Sequence, residues 1–244
     1  MFCGFKGKLR SLIDIRGSGV PSLTLEMNSS LTIPGPHNGA RLLLAGTPIA
    51  DAKAALVLVH GRGADAEGML DLARHLSAER FAWVAPQANG HTWYPFPFLV
   101  PLDQNQPHLD SALAVLTAIT DQLATDGIPY ARQVLLGFSQ GACLALEFAA
   151  RSDRRWGGVA GLSGGVIGPD GTTWDRPRGI AETPVFLGCS DVDPHIPVTR
   201  VHETRDLFTR LGAVVDERIY PGMSHTINDD EIAAIRSLLG SVPR

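Results

Sequence analysis

The sequence has few cysteines, no strong excess of one charge, and no apolar run long enough to cross a membrane. Its three cysteines, Cys3, Cys143 and Cys189, are spaced like neither a zinc site nor a disulfide framework. A net charge of −4 gives no basis for nucleic-acid binding. The strongest apolar run, residues 54–59, has the length of a strand, whereas a membrane helix needs about 18 apolar residues. We therefore expect neither a nucleic-acid partner nor stable insertion into a membrane.

The first 40 residues differ from the rest of the chain. They carry more basic than acidic side chains, and glycine and proline cluster at 17–21 and 34–36. We expect a poorly ordered leader here, or a chain whose start is Met27. The alternatives are an arm that binds a partner or a membrane surface, and packing against the domain. The first ten residues hold neither a secretory signal nor a lipid-attachment motif, so a cytoplasmic location is expected.

From residue 41 to residue 244, apolar runs of strand length alternate with helical patterns. The predicted strands are 56–60, 81–85, 134–136, 159–162, 185–188 and 214–220, and the predicted helices are 66–76, 109–125, 141–150, 198–211 and 229–239. Such alternation requires a mostly parallel sheet with helices on both faces, so the sequence predicts one α/β domain. In such domains the ligand binds beyond the carboxyl ends of the strands.

One pentapeptide, Gly137-Phe138-Ser139-Gln140-Gly141, lies between a predicted strand and a predicted helix. A Gly-x-Ser-x-Gly sequence at such a junction is typical of a nucleophile elbow, where a sharp turn lifts the serine hydroxyl above the sheet. The turn brings the residues two positions before and after the serine together, and glycines there remove the clash. Ser139 is therefore the predicted nucleophile.

A serine hydroxyl needs a base, and the base needs an orienting acid. In α/β-hydrolases the acid precedes the histidine, and both follow the serine at strand ends. His225 lies after the last predicted strand, and Asp193 follows the strand at 185–188. We predict the triad Ser139, Asp193 and His225, with Asp191 as the competing acid. The rate should then rise through about pH 6–8 as His225 loses its proton.

Acyl transfer also requires N–H donors for the oxyanion of the tetrahedral intermediate. The backbone N–H of Gln140, next to the nucleophile, is one candidate. The glycine-rich loop 60–64 follows the first strong strand, and the backbone N–H of Arg62 is the other candidate. This loop has neither a phosphate-loop nor a dinucleotide-binding spacing, so a nucleotide site is disfavoured.

Two loops bear on the substrate. Residues 91–101 are rich in proline and aromatics and form an irregular loop, in which Trp93, Tyr94, Phe96 and Phe98 either bind substrate or fasten the loop to the core. Only about 20 residues separate 165 from 184, too few for a large cap domain. An open cleft favours short- to medium-chain acyl esters.

Four motifs follow one another along the chain: His60-Gly61-x-Gly63, Gly137-Phe138-Ser139-Gln140-Gly141, Asp193-Pro194-x-Ile196-Pro197 and Gly222-Met223-x-His225. In this order they resemble the phospholipase/carboxylesterase family of α/β-hydrolases, which includes acyl-protein thioesterases. The resemblance covers about residues 40–240 and implies an α/β-hydrolase fold and a serine carboxylic-ester hydrolase without metal or cofactor. One departure is Cys189-Ser190, where the family often has His-Gly. Homodimers occur among similar proteins, and the leader has no counterpart.

The sequence leaves three functions open. The first is a carboxylesterase acting on a small-molecule ester through an acyl-enzyme, and the second is a thioesterase or lysophospholipase with the same triad. The third is a catalytically silent hydrolase fold that acts as a binding module. Because one triad serves the first two functions equally, leaving-group preference cannot be predicted from these residues.

Overall fold

The computed structural model describes residues 30–243 except 77, 79 and 175–177. Seven strands in the described residues form one sheet. The strands are β1 (Leu42–Gly46), β2 (Ala54–Val59), β3 (Phe81–Pro86), β4 (Gln133–Phe138), β5 (Gly158–Leu162), β6 (Pro184–Ser190) and β7 (Val214–Tyr220). The helices are α1 (Ala66–Arg74), α2 (His108–Thr125), α3 (Gln140–Arg151), α4 (Val198–Arg210) and α5 (Asp229–Ser241). Where an element was predicted, its ends differ from the prediction by at most two residues.

The sheet has the strand order β1-β3-β2-β4-β5-β6-β7. β1 pairs with β3 in antiparallel fashion, and every other neighbouring pair is parallel. This confirms the predicted α/β-hydrolase fold with a mostly parallel sheet. The sequence did not predict β1, because this short edge strand buries only Leu43 and so lacks a continuous apolar run.

Both faces of the sheet are covered. Along β2, Leu56 and Leu58 belong to one hydrophobic cluster, while Val57 and Val59 belong to the other, as expected when successive side chains point to opposite faces. α1 and α5 pack on the first face, and α2, α3 and α4 pack on the second. Burial on both faces explains why the central strands read as unbroken apolar runs.

The described part of the predicted leader packs on the domain. Residues 30–40 bury Leu31, Ile33 and Ala40, and Ser30 forms a β-bridge with Arg41. His37 is fully buried, and its ring Nε2 donates to the carbonyl of Trp93 at 2.9 Å. The packed body thus includes residues 30–40, which the prediction assigned to the leader. Residues 1–29, including Met27, lie outside the described residues.

The described residues of the connection from β5 to β6 contain no cap domain. Within its described residues, 163–174 and 178–183, the regular structure is a single 3₁₀ turn at Arg178–Ile180. The buried carboxylate of Glu147 on α3 holds this segment, since it accepts the N–H groups of Ile167 and of the Trp174 indole. Among the described helices, none is both long and apolar enough to cross a membrane.

Candidate active site

Ser139 lies at a strained turn between β4 and α3. Its backbone angles are φ 53° and ψ −121°, in a region that L-residues rarely occupy, and holding a residue there costs about 1–3 kcal/mol. A Cβ at Gly137 would collide with the carbonyl of Gly141, and a Cβ at Gly141 would collide with that of Val59. The N–H of Ser139 donates to Leu162 of β5 at 2.9 Å, which ties the turn to the sheet.

Asp193 and His225 form a hydrogen-bonded pair. His225 Nδ1 donates to Asp193 Oδ2 at 2.6 Å, and Asp193 Oδ1 accepts the backbone N–H groups of His195 and Ile196 at 2.8 and 3.0 Å. Burial alone would raise the pKa of Asp193, but the hydrogen bond from His225 and those from the backbone hold it below its ordinary value. The pair leaves His225 Nε2 free of Asp193 and able to accept a proton.

The neighbouring Asp191 has a different contact. Its Oδ1 accepts the backbone N–H of Gly222 at 2.7 Å, in the turn that leads to His225. The structure therefore pairs His225 with Asp193 and places Asp191 as a support for the preceding turn. The role of Asp193 as the catalytic acid stays a prediction.

The His225 ring lies beside the turn that carries Ser139. Its centroid is 4.9 Å from that of Phe138, the residue before the serine, and 4.9 Å from that of His195. Ser139, Asp193 and His225 follow β4, β6 and β7 at their carboxyl ends. The sequence did not predict that His195 contacts His225.

The loop after β2 approaches Ser139 closely. A Cβ at Gly61 would lie 3.4 Å from the Ser139 Cβ. The next residue, Arg62, directs its guanidinium away to the carbonyls of Pro95 and Phe96 at 2.9 and 3.0 Å. The backbone N–H of Arg62 thus belongs to a loop next to the serine. Gln140 is the first residue of α3, and the N–H groups of a first helical turn have no partner within the helix.

Three of the four predicted substrate-binding rings are buried. Trp93, Tyr94 and Phe98 belong to the hydrophobic core, which agrees with the interpretation that the aromatic loop is fastened to the body. Phe96 is 50% exposed and retains a free face. A role of these residues in substrate binding stays a prediction, and Phe96 has the surface that it requires.

The side chain of Gln140 has a role that the sequence did not predict. Its Oε1 accepts the backbone N–H of Trp93 at 3.0 Å, and its Nε2 donates to the carbonyl of Tyr94 at 2.8 Å. The nucleophile helix is thereby joined to the aromatic loop. A glutamine directly after a nucleophile is the one sequence signal for such a contact.

The two cysteines near the site, Cys143 and Cys189, are both buried. Burial raises the pKa of Cys143 and of Cys189 to about 12, so neither carries appreciable thiolate at neutral pH. In the part of the chain that the structure describes, no cluster of three or more His, Cys, Asp or Glu side chains is placed to hold a metal ion.

The model of the phospholipase/carboxylesterase family matches residues 46–242. A solved phospholipase/carboxylesterase from Dyadobacter fermentans is 38% identical, with a TM-score of 0.79 over 82% of this chain and 96% of that chain. Acyl-protein thioesterase 1 of Saccharomyces cerevisiae is 27% identical over 83% of this chain and 97% of its own. The same-named protein of Debaryomyces hansenii is 30% identical over 51% of this chain, and the match spans 54% of that relative. Because the family model matches well over half of the residues of this chain, the chain belongs to the phospholipase/carboxylesterase family of α/β-hydrolases.

Proposed function

We propose that the chain is a serine carboxylesterase that hydrolyses short- to medium-chain carboxylic esters through an acyl-enzyme. The observation that carries the proposal is the Asp193–His225 hydrogen bond of 2.6 Å beside the strained turn at Ser139. A serine exposed by such a turn and an imidazole oriented by a buried carboxylate are the two components that a serine hydrolase needs.

In acylation, the Ser139 Oγ attacks the ester carbonyl carbon while His225 Nε2 takes the hydroxyl proton. Asp193 holds the Nδ1–H and stabilises the imidazolium that results. The carbonyl oxygen becomes an oxyanion, which accepts the backbone N–H groups of Arg62 and Gln140. When the tetrahedral intermediate collapses, the C–O bond of the ester breaks and His225 gives the proton to the departing alcohol.

In deacylation, a water molecule replaces the alcohol. His225 removes a proton from the water, whose oxygen attacks the acyl carbon and forms a second oxyanion in the same hole. Collapse breaks the bond to Ser139 Oγ, and His225 returns the proton to the serine. The products are one carboxylic acid and one alcohol, and the enzyme is restored.

Two features around the site support the proposed preference for short- to medium-chain esters. Within its described residues the short β5–β6 connection has no cap domain, and the exposed ring of Phe96 offers an apolar contact for an acyl chain. Thioester hydrolysis is the second candidate, because two similar proteins are named acyl-protein thioesterase 1 and the same residues would serve it.

The proposal is tested with a serine-directed fluorophosphonate and p-nitrophenyl esters of increasing acyl length. We expect the adduct on Ser139 by peptide mass spectrometry, and ester turnover that Ser139→Ala lowers on the order of 10⁶-fold. Ser237→Ala, an exposed serine on α5, is the matched control and should leave both results unchanged. Folded protein with neither adduct nor turnover would refute the proposal and favour a binding module, whereas faster turnover of matched thioesters would favour a thioesterase.

A further inference from the structure

The buried side chains of His60 and Trp93 contact the loop that carries Arg62, and neither has a part in the mechanism above. We infer that His60 and Trp93 are positioning residues that orient the backbone N–H of Arg62 toward the oxyanion. The inference rests on the proposed function and adds residues that hold its oxyanion hole.

The contacts of His60 define its tautomer. The backbone N–H of Ala88 donates to His60 Nε2 at 3.1 Å, so this nitrogen has no proton. Nδ1 therefore carries the ring proton and donates to the carbonyl of Gly61 at 2.7 Å. His60 is fully buried, and this burial lowers its pKa despite the opposing effect of the Gly61 hydrogen bond. The ring is thus held neutral, in the form that makes both contacts.

The hydrogen bond to Gly61 sets the direction of the Arg62 N–H. The Gly61 carbonyl and the Arg62 N–H belong to one planar trans peptide, in which they point in opposite directions. Because His60 holds the carbonyl on its own side, the N–H is turned to the other side. Gly61 also lies against the serine, since a Cβ added at this glycine would be only 3.4 Å from the Ser139 Cβ.

Trp93 holds the preceding peptide. Its indole Nε1 donates to the carbonyl of His60 at 2.8 Å, and its ring centroid is 5.0 Å from that of His60. Its backbone N–H donates to Gln140 Oε1 at 3.0 Å. Trp93 therefore connects the loop that carries one oxyanion donor with the helix start that carries the other.

These contacts matter because the loop contains Gly61 and Gly63, and glycine leaves the backbone many conformations. Oxyanion donors stabilise the transition state only when they are oriented before charge develops. Hydrogen bonds to two successive carbonyls, together with the one from Gly63 to the His91 carbonyl at 2.7 Å, remove that freedom. The aromatic loop thus shapes the oxyanion hole from within the core.

The test compares three variants. His60→Leu removes the donor, and His60→Asn keeps an N–H near the position of Nδ1. Trp93→Phe removes the indole N–H together with part of the buried ring. We expect His60→Leu to lower kcat by about 10- to 10²-fold with little change in KM, less than the ~10²–10³-fold loss of a whole donor. His60→Asn should recover most of this loss, and Trp93→Phe should lie between. His75→Leu, at an exposed position after α1, is the control.

Two further measurements separate positioning from general destabilisation. Affinity for an alkylboronic acid, which forms a tetrahedral adduct on serine, should fall in parallel with kcat in variants that circular dichroism shows to be fully folded. Crystal structures should show the Gly61–Arg62 peptide rotated in His60→Leu and retained in His60→Asn. Should His60→Leu fail to fold, Trp93→Phe and His60→Asn provide the same comparison.

The outcomes distinguish the two proposals. A wild-type protein without ester turnover would refute the proposed function, while the peptide orientation in the crystal structures would still decide the positioning role. Unchanged kcat, unchanged boronate affinity and an unrotated peptide in His60→Leu would overturn the inference. A loss of activity that only follows the unfolded fraction would overturn it as well.

Discussion

Glu231 is a buried acid that packs against β6, the strand that leads to Asp193, and its titration should make the stability of the fold depend on pH. It is fully buried at the start of α5, and its Oε2 accepts the backbone N–H of Asn228 in a capping box. Its Oε1 lies against Gly188 of β6 and, within the described residues, has no hydrogen-bond partner. Burial raises the pKa of Glu231 to about 7, because the ionised form loses its hydration there.

The pKa shift defines a pH window for stability. The folded-state pKa lies above the ordinary value of 4.5, so the folded protein binds more protons than the unfolded chain between those two values. The stabilisation from neutral Glu231 is then fully present below about pH 4.5 and is lost as the pH rises through about 7. The folded and unfolded pKa values of Glu231 differ by about 2.5. At 1.36 kcal/mol per pKa unit, this difference corresponds to a loss of about 3 kcal/mol in the free energy of unfolding.

Glu231→Gln removes the titration while keeping a carbonyl that can accept the Asn228 N–H. At low pH the variant should be about as stable as wild type, because the protonated carboxyl and the amide both place an unpaired donor where Oε1 has no partner. As the pH rises from 5 to 8, the free energy of unfolding of the variant relative to wild type should increase by up to about 3 kcal/mol.

Urea unfolding, followed by circular dichroism at several pH values, measures this difference. Asp229→Asn, an exposed acid in the same helical turn, is the control and should differ from wild type by an amount that hardly depends on pH over this range. A difference between Glu231→Gln and wild type that stays constant from pH 5 to pH 8 would show that Glu231 is ionised in the folded protein throughout, and the reasoning would be wrong.

Two further predictions concern the acid and the apolar rim. Asp193→Asn should lower kcat by about 10³- to 10⁴-fold, because the wrong His225 tautomer becomes favoured. Asp191→Asn should lower kcat far less and should mainly reduce the thermal stability, since Asp191 only supports a turn. Comparable losses of kcat in the two variants would contradict this assignment. Phe96→Ala should lower kcat/KM for longer p-nitrophenyl esters while sparing the acetate, and an equal loss for all chain lengths would exclude an acyl contact.

The parts of the fold that the sequence predicts are those with a local physical cause. The central strands are buried on both faces and therefore appear as continuous apolar runs. β1 has no continuous apolar run, because it is an edge strand and most of its residues are only half-buried. Its position depends on its pairing with β3. Residues 30–40 also lack periodicity, and their place in the body depends on single contacts such as that of His37 with Trp93.

In the candidate site, too, the sequence predicts the residues that have a local signal and leaves the others open. Ser139, Asp193 and His225 could be proposed as a triad because each follows a recognisable strand in a fixed order. The choice between Asp193 and Asp191 rests on which carboxylate accepts the Nδ1–H of His225, and a spacing of two residues does not decide it.

The sequence gives little indication of the contacts that would support the proposed oxyanion hole, because they join residues far apart in the chain. Trp93 contacts the carbonyl of His60, 33 positions away, and the side chain of Gln140, 47 positions away. In the sequence these are a histidine before a glycine, a tryptophan in a proline-rich loop and a glutamine after a serine. The sequence therefore left open whether the aromatic loop binds substrate or is fastened to the core, since aromatic composition alone does not tell which way a ring faces. Trp93 is buried and hydrogen-bonded both to the loop that carries Arg62 and to Gln140 at the start of α3. We therefore expect Trp93 to affect the proposed reaction through the backbone that it holds and not through contact with the substrate.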